Sequence, residues 1–199
     1  MIISNLFWIG LFGGVVKLAY VVPYLYEIFK KGVRPNRASW LIWFILGLIA
    51  FFSQQAKGAS NSLFMTGAEI IATFCIFTTS IFKGEGGFNS FDIFALLGAG
   101  AGLLLWAVFH QPLLALLAVV FIEVMALLPT LKKSYLDPAR ESKLAFIFSG
   151  TGSLITCFAV GQWNFALLLY PVYLVFANYL IVLVSFLGQK KNYDVASRI

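Results

Sequence analysis

The chain is short of charge. Only 11% of its 199 residues are Asp, Glu, Lys or Arg, against roughly a quarter in a soluble domain. With 61% hydrophobic residues and a mean hydropathy of +0.92, that deficit excludes an ordinary water-soluble fold and predicts an integral membrane protein. Histidine is nearly absent. His110 is the single one, and it reads as an interfacial polar tip rather than a ligand or proton relay. The two cysteines, Cys75 and Cys157, fall inside apolar stretches without neighbouring histidines. Both read as small buried hydrophobes, and no metal site is expected. There is no Walker motif, no Gly-x-Ser-x-Gly, no His-Glu-x-x-His, and no lysine in the last apolar run where a retinal Schiff base would sit. These absences argue against an ATP-driven pump and a membrane protease, so no enzymatic activity and no cofactor are expected. The start, Met1–Gly10, has neither a charged n-region nor a cleavage site and reads as the approach to a first span.

What the chain has in abundance is apolar length. A spanning helix needs about 20 apolar residues, and seven runs qualify: about 6–28, 39–55, 63–82, 92–110, 113–130, 143–161 and 164–187. The second and sixth are short. The runs are too long and too uniformly apolar for barrel strands, and only helices satisfy their own backbone in lipid. The cations are distributed unevenly. Lys30, Lys31, Arg34 and Arg37 follow the first run, Lys83 the third, and Lys132, Lys133, Arg140 and Lys143 the fifth, while Lys190, Lys191 and Arg198 follow the seventh. Of the 14 basic residues, only Lys57 lies on the other side, and Lys17 lies within a span. The rule that cytoplasmic loops are basic then predicts an N-terminus outside and a C-terminus in the cytoplasm, most simply in a bacterial inner membrane. The net charge of +6 reads as topology and attraction to anionic head groups, not as nucleic-acid binding.

The sequence also repeats itself. "VVPYLYEIFKKGVRPNRASWLIW" (Val21–Trp43) returns in outline as "ALLPTLKKSYLDPARESKLAFIF" (Ala126–Phe148). Laying Pro23 on Pro129 places Lys17 on Glu123. After a shortening of the loop by three residues, Asn36–Ser39 meets Ala139–Ser142, Trp43 meets Phe146, and Gly47 meets Gly150. The third and seventh runs both end in Phe-x-Gly, at Phe82–Gly84 and Phe186–Gly188. The pattern predicts an all-α membrane fold of seven helices, arranged as 3+1+3. Residues 1–88 form a first three-helix repeat, 89–111 a linker helix, 112–189 a second repeat, and 190–199 a cytoplasmic tail. One linker helix keeps the two repeats parallel, a plan that transporters use.

This plan, with prolines late in spans one and five and basic loops after each, resembles the PQ-loop superfamily. That group holds the SWEET sugar transporters, cystinosin-type transporters, KDEL receptors and PnuC-like vitamin transporters. The signature dipeptide appears here as Pro23-Tyr24 and Pro129-Thr130. The resemblance implies a small-molecule transporter, facilitative or proton-coupled, working by alternating access between the two bundles. It leaves open a seven-helix receptor of the KDEL-receptor kind that binds without net transport. The implied partners are a small polar or zwitterionic solute and the lipid bilayer, and a homo-oligomer is compatible with the plan.

Charges inside spans are functional candidates by default. Lys17 and Glu123 hold matched positions, so a pseudo-twofold axis would set them on opposite walls of one cavity. There they could pair or take the two ends of a zwitterion, or else form a structural ion pair. Glu69, with Thr66 and Thr73 on one helical face, is a candidate for proton coupling, or a solvated residue near the boundary. Asn178 and Tyr173 are polar positions in the seventh run. Asn178 fits the place of a sugar-binding asparagine in SWEET-like members, without a matching asparagine in the first repeat. Trp43 is a candidate aromatic platform. Ser149, Ser153 and Thr156 share a face that either lines the cavity or packs helices, as small residues commonly do. Pro23 and Pro129 are expected to bend their helices as hinges or gates.

Overall fold

A computed structural model describes residues 2–86 and 111–196, and between them only 90, 93, 97, 100, 101 and 104. The expected fourth span therefore lies largely outside the described residues, and His110 wholly so. Seven helices follow in order: α1 (Ile2–Leu18), α2 (Val21–Lys30), α3 (Arg37–Ala56), α4 (Leu63–Lys83), α5 (Pro112–Leu136), α6 (Lys143–Cys157) and α7 (Phe165–Ala196). A 3-10 turn, Pro138–Arg140, joins α5 to α6. Among the described residues there is no strand, only an isolated bridge between Asn36 and Glu85. Asn5–Lys30, Arg37–Ala56, Leu63–Lys83, Pro112–Leu136 and Phe165–Lys191 are each long and apolar enough to cross a membrane. Phe12, Val22, Phe82, Phe121 and Phe176 stand exposed on the outside of the bundle. Water would not solvate such a continuous apolar surface, whereas lipid does.

The first span is two helices, not one. Between α1 and α2 the ladder tightens: Tyr20 N–H donates to the Lys17 carbonyl and Val22 N–H to the Ala19 carbonyl, both at 3.2 Å. Pro23 has no N–H to offer the Ala19 carbonyl and its ring crowds that turn, so the helix breaks just before it. Pro129 is different: α5 runs on through it.

The ends of the helices follow from their caps. The Asn36 side chain accepts from Ser39 N–H at 3.0 Å and starts α3. Ala139 stands at the matching place in the second repeat and has no acceptor. The cap falls instead to Ser142, whose Oγ accepts from Ala145 N–H at 3.3 Å. So α6 begins one turn late and has 15 residues against 20 in α3, shorter than the expected 143–161. The opposite correction applies at the C-terminus. Residues 190–196, expected as a tail, continue α7 as helix. The glycine-rich stretch after α4 is pinned through residue 86. Glu85 N–H donates to the Pro35 carbonyl at 3.0 Å, and Arg37 N–H to the Glu85 carbonyl at 3.3 Å.

The packing has a simple order. Helix α4 lies against both α1 and α3, and α7 lies against both α5 and α6. The two groups meet where α1 packs on α6 and α3 on α5. The α1–α6 contact is very close. A Cβ on Gly152 would come within 2.5 Å of the Lys17 backbone nitrogen, and one on Gly13 within 2.6 Å of Thr156 Oγ1. Thr156 is thus a packing residue here. Glycine at both positions lets the two backbones touch.

Candidate functional site

Glu69, Glu123, Asn178, Tyr173 and Trp43, expected from four separate stretches of sequence, line one cavity at the centre of the bundle. They come from α4, α5, α7 and α3, and Tyr24 of α2 and Ser149 of α6 complete the wall. The space is small. The centre of a water-sized sphere has about 50 Å³ to move in, which holds a few waters and no larger solute.

Lys17 is not on this wall. It is fully buried, which excludes snorkelling, and its ammonium points across to α4 and α6. It lies 2.8 Å from Glu69 Oε2, 2.8 Å from Ser149 Oγ and 3.3 Å from Ser153 Oγ. Its hydrogen bonds go to the two serine hydroxyls, while the contact with Glu69 is an ion pair by distance, in which Oε2 accepts no hydrogen bond among the described residues. The alternative of direct pairing with Glu123 is therefore replaced by pairing with Glu69. The physical reason is the packing order, since α1 touches α4 and α6 and has no comparable contact with α5. Glu69 is accordingly not a solvated boundary residue: it is 13% exposed and holds a buried cation. Thr73 on the same face turns its hydroxyl back to the Glu69 carbonyl at 2.7 Å, and Thr66 donates to Gln54 Oε1 of α3 at 2.8 Å.

Glu123 is 4% exposed. Among the described residues its hydrogen-bond partner is the Tyr170 hydroxyl of α7, which donates at 2.9 Å. Asn178 uses its amide on its own helix, donating to the Leu174 carbonyl at 2.6 Å. Of the serines expected to line the cavity or pack helices, Ser149 is on the cavity wall, and Ser149 and Ser153 both accept from Lys17 across the α1–α6 contact.

The aromatic part of the site was underestimated from sequence, where only Trp43 and Tyr173 stood out. Tyr20, Tyr24, Trp40 and Phe146 also line the cavity. The Tyr24 and Trp40 rings meet at 5.0 Å, Trp40 and Trp43 at 5.0 Å, and Tyr24 and Phe146 at 6.5 Å, all edge-on. Four of these rings, Tyr24, Trp40, Trp43 and Phe146, also wall a second cavity of about 140 Å³. They form the partition between the two spaces.

A cluster of charges closes the far end of the second cavity. Lys133 of α5 lies 3.2 Å from Glu85 and 3.0 Å from Glu141, and donates to the Arg34 carbonyl at 3.0 Å. Arg140 approaches Glu85 at 3.7 Å. Arg37 caps the end of α4, donating to the carbonyls of Ser80, Gly84 and Gly86 at 3.0, 2.8 and 2.8 Å. Burial holds the Glu141 carboxyl above the usual carboxylate range, outweighing the opposite pull of the Lys133 ammonium. The basic loops of both sequence copies thus meet at one end of the bundle.

Comparison with protein-family models, with curated proteins and with solved structures finds no match.

Proposed function

We propose that this chain is a membrane transporter of the PQ-loop type, moving a small polar solute by alternating access between two three-helix bundles. In this reading α1/α2, α3 and α4 form one bundle, α5, α6 and α7 the other, and residues 89–111 link them. The observation that carries the proposal is the central cavity, where buried carboxylates from α4 and α5 face each other between the two groups of helices. The packing order supports the repeat. Exchanging α1, α3 and α4 for α5, α6 and α7 turns every major helix pair into another major pair. The matched Phe-x-Gly ends support it too. A Cβ on Gly84 would strike the Pro35 carbonyl, and one on Gly188 the Tyr135 carbonyl. In one case the glycine lets α4 close onto the loop after α2, in the other it lets α7 close onto the last turn of α5.

The conformation is occluded. The cavity is too small for a solute, the aromatic partition is shut, and the Lys133 cluster ties the ends of the two bundles together. Opening toward that end requires the cluster to break and the partition to part. The break before Pro23 gives α1 and α2 a place to flex. The basic end is assigned to the cytoplasm, the N-terminus to the outside and the membrane to a bacterial inner membrane, on the strength of the loop charges.

The test is flux. Purified protein in liposomes should exchange a labelled solute across the membrane at a saturable rate. A cross-link between Glu85→Cys and Lys133→Cys, made in a background lacking Cys75 and Cys157, should stop that flux reversibly. Binding of solutes without flux, or flux indifferent to the cross-link, would overturn the proposal.

A further inference from the structure

We infer that the solute of this cavity carries a cationic nitrogen on a compact apolar body, and that Glu123 is its counter-ion. This rests on the transporter reading above and narrows its substrate class.

The inference comes from the charges present and from which of them are already committed. Three ionisable side chains of opposite sign converge here: Lys17, Glu69 and Glu123. The Lys17 ammonium is paired by charge with Glu69 and donates to Ser149 and Ser153. Lys17 and Glu69 together are neutral, and the lysine stands behind the wall rather than on it. Among the described residues Glu123 is left without a cation. Its described partner is the neutral Tyr170 hydroxyl, and it is buried and faces the cavity. A buried carboxylate without a positive partner is costly and draws in a cation or a proton.

The rest of the wall favours the same sign. Tyr20, Tyr24, Trp40, Trp43 and Tyr173 surround the space. Aromatic faces carry negative electrostatic potential and attract organic cations, best of all methylated or ring-bound ammonium groups. The other solute classes fit less well. An anion, or the carboxylate end of a zwitterion, would find no unpaired cation on this wall. A sugar needs many hydrogen-bonding partners, yet the Asn178 amide donates to its own helix and Ser149 is engaged by Lys17. What stays open to a solute is a carboxylate, a set of rings and a few polar tips: the Tyr20 and Tyr173 hydroxyls and the Asn178 oxygen.

The experiment compares isosteres, using the full chain purified in detergent. Choline is paired with 3,3-dimethylbutan-1-ol, in which a carbon replaces the charged nitrogen. Tyramine is paired with 4-ethylphenol. Glucose and benzoate complete the set. A ligand that binds the folded state raises the unfolding midpoint with the logarithm of its concentration. The expected result is a rise with choline or tyramine at least threefold larger than with its neutral twin, abolished by Glu123→Gln. If Glu123→Gln does not fold, the isostere comparison on the parent protein decides alone. An equal rise with a neutral twin, a rise only with glucose or benzoate, or a cation response unchanged in Glu123→Gln would each overturn the inference. In those cases flux of the responding compound into liposomes would leave the transporter reading standing. No response to any compound, together with no flux, would bring down both.

Discussion

Removing the Lys17 ammonium tests the centre of the structure most directly. In Lys17→Met the side chain keeps its length, but Glu69 loses the cation 2.8 Å away and two serine hydroxyls lose their donor. Breaking a buried ion pair from one side costs about 3–5 kcal/mol, because the surviving charge stays buried and unpaired. For a chain of this size each kcal/mol lowers the midpoint by roughly 2–4 °C, so the expected fall is about 6–20 °C. Glu69→Gln should cost a similar amount by stranding the lysine. The double variant, Lys17→Met with Glu69→Gln, removes both charges and should lose far less than the two singles together, with a coupling of up to about 3 kcal/mol. Thermal unfolding in mild detergent, followed by reaction of the buried Cys157 thiol with a fluorogenic dye, gives all three numbers. A single variant within about 1 kcal/mol of the parent, or two singles that simply add, would refute the reasoning. Lys17 would then be held by something other than Glu69.

Three further outcomes follow from the same contacts. Gly152→Val places a branched side chain against the α1 backbone, and should cost about 1–3 kcal/mol, read as a lower unfolding midpoint; Gly100→Val, where a Cβ meets open space, is the control for valine substitution itself. Pro23→Ala restores a donor to the Ala19 carbonyl, so it should raise stability by about 1 kcal/mol while lowering flux, and unchanged flux would remove Pro23 from the hinge. Because the folded Glu141 carboxyl is held above its ordinary value of 4.5, the folded state keeps its proton where the unfolded chain has lost it; stability should therefore fall as pH rises from about 4.5 toward the raised value, and Glu141→Gln should flatten that part of a midpoint-against-pH curve.

Five of the seven expected spans were legible because apolar length is a local property: it needs no knowledge of neighbours. The break in the first span was legible for the same reason, since Pro23 acts on its own turn. The late start of α6 could have been read too, from alanine at the place where the first copy has Asn36. What sequence could not supply was partnership. Aligning the two stretches matches Lys17 with Glu123, but positions matched in sequence need not touch. The partner of Lys17 is Glu69 on α4, and that of Glu123 is Tyr170 on α7. Gln54, at the end of the second expected span, was not singled out, and its bond to Thr66 joins two different helices. The aromatic wall was hidden by abundance. In a chain that is 17% aromatic, no single tyrosine or tryptophan marks itself out.

The burial of Lys17 also bears on how the protein is made. Its partners lie late in the chain, and Ser149 and Ser153 follow it by 132 and 136 residues. At about 5–20 residues per second, roughly 7–26 s pass between synthesis of the first helix and arrival of the sixth. Through that interval the first helix carries a charge worth about 2.5–3.5 kcal/mol against membrane insertion, and Glu69 can offset it only once α4 has emerged. A nascent chain stopped before α6 would therefore hold α1 loosely, exposed to the insertion machinery and to membrane proteases. The ammonium that locks the finished bundle thus also reports, during synthesis, whether the second half has arrived.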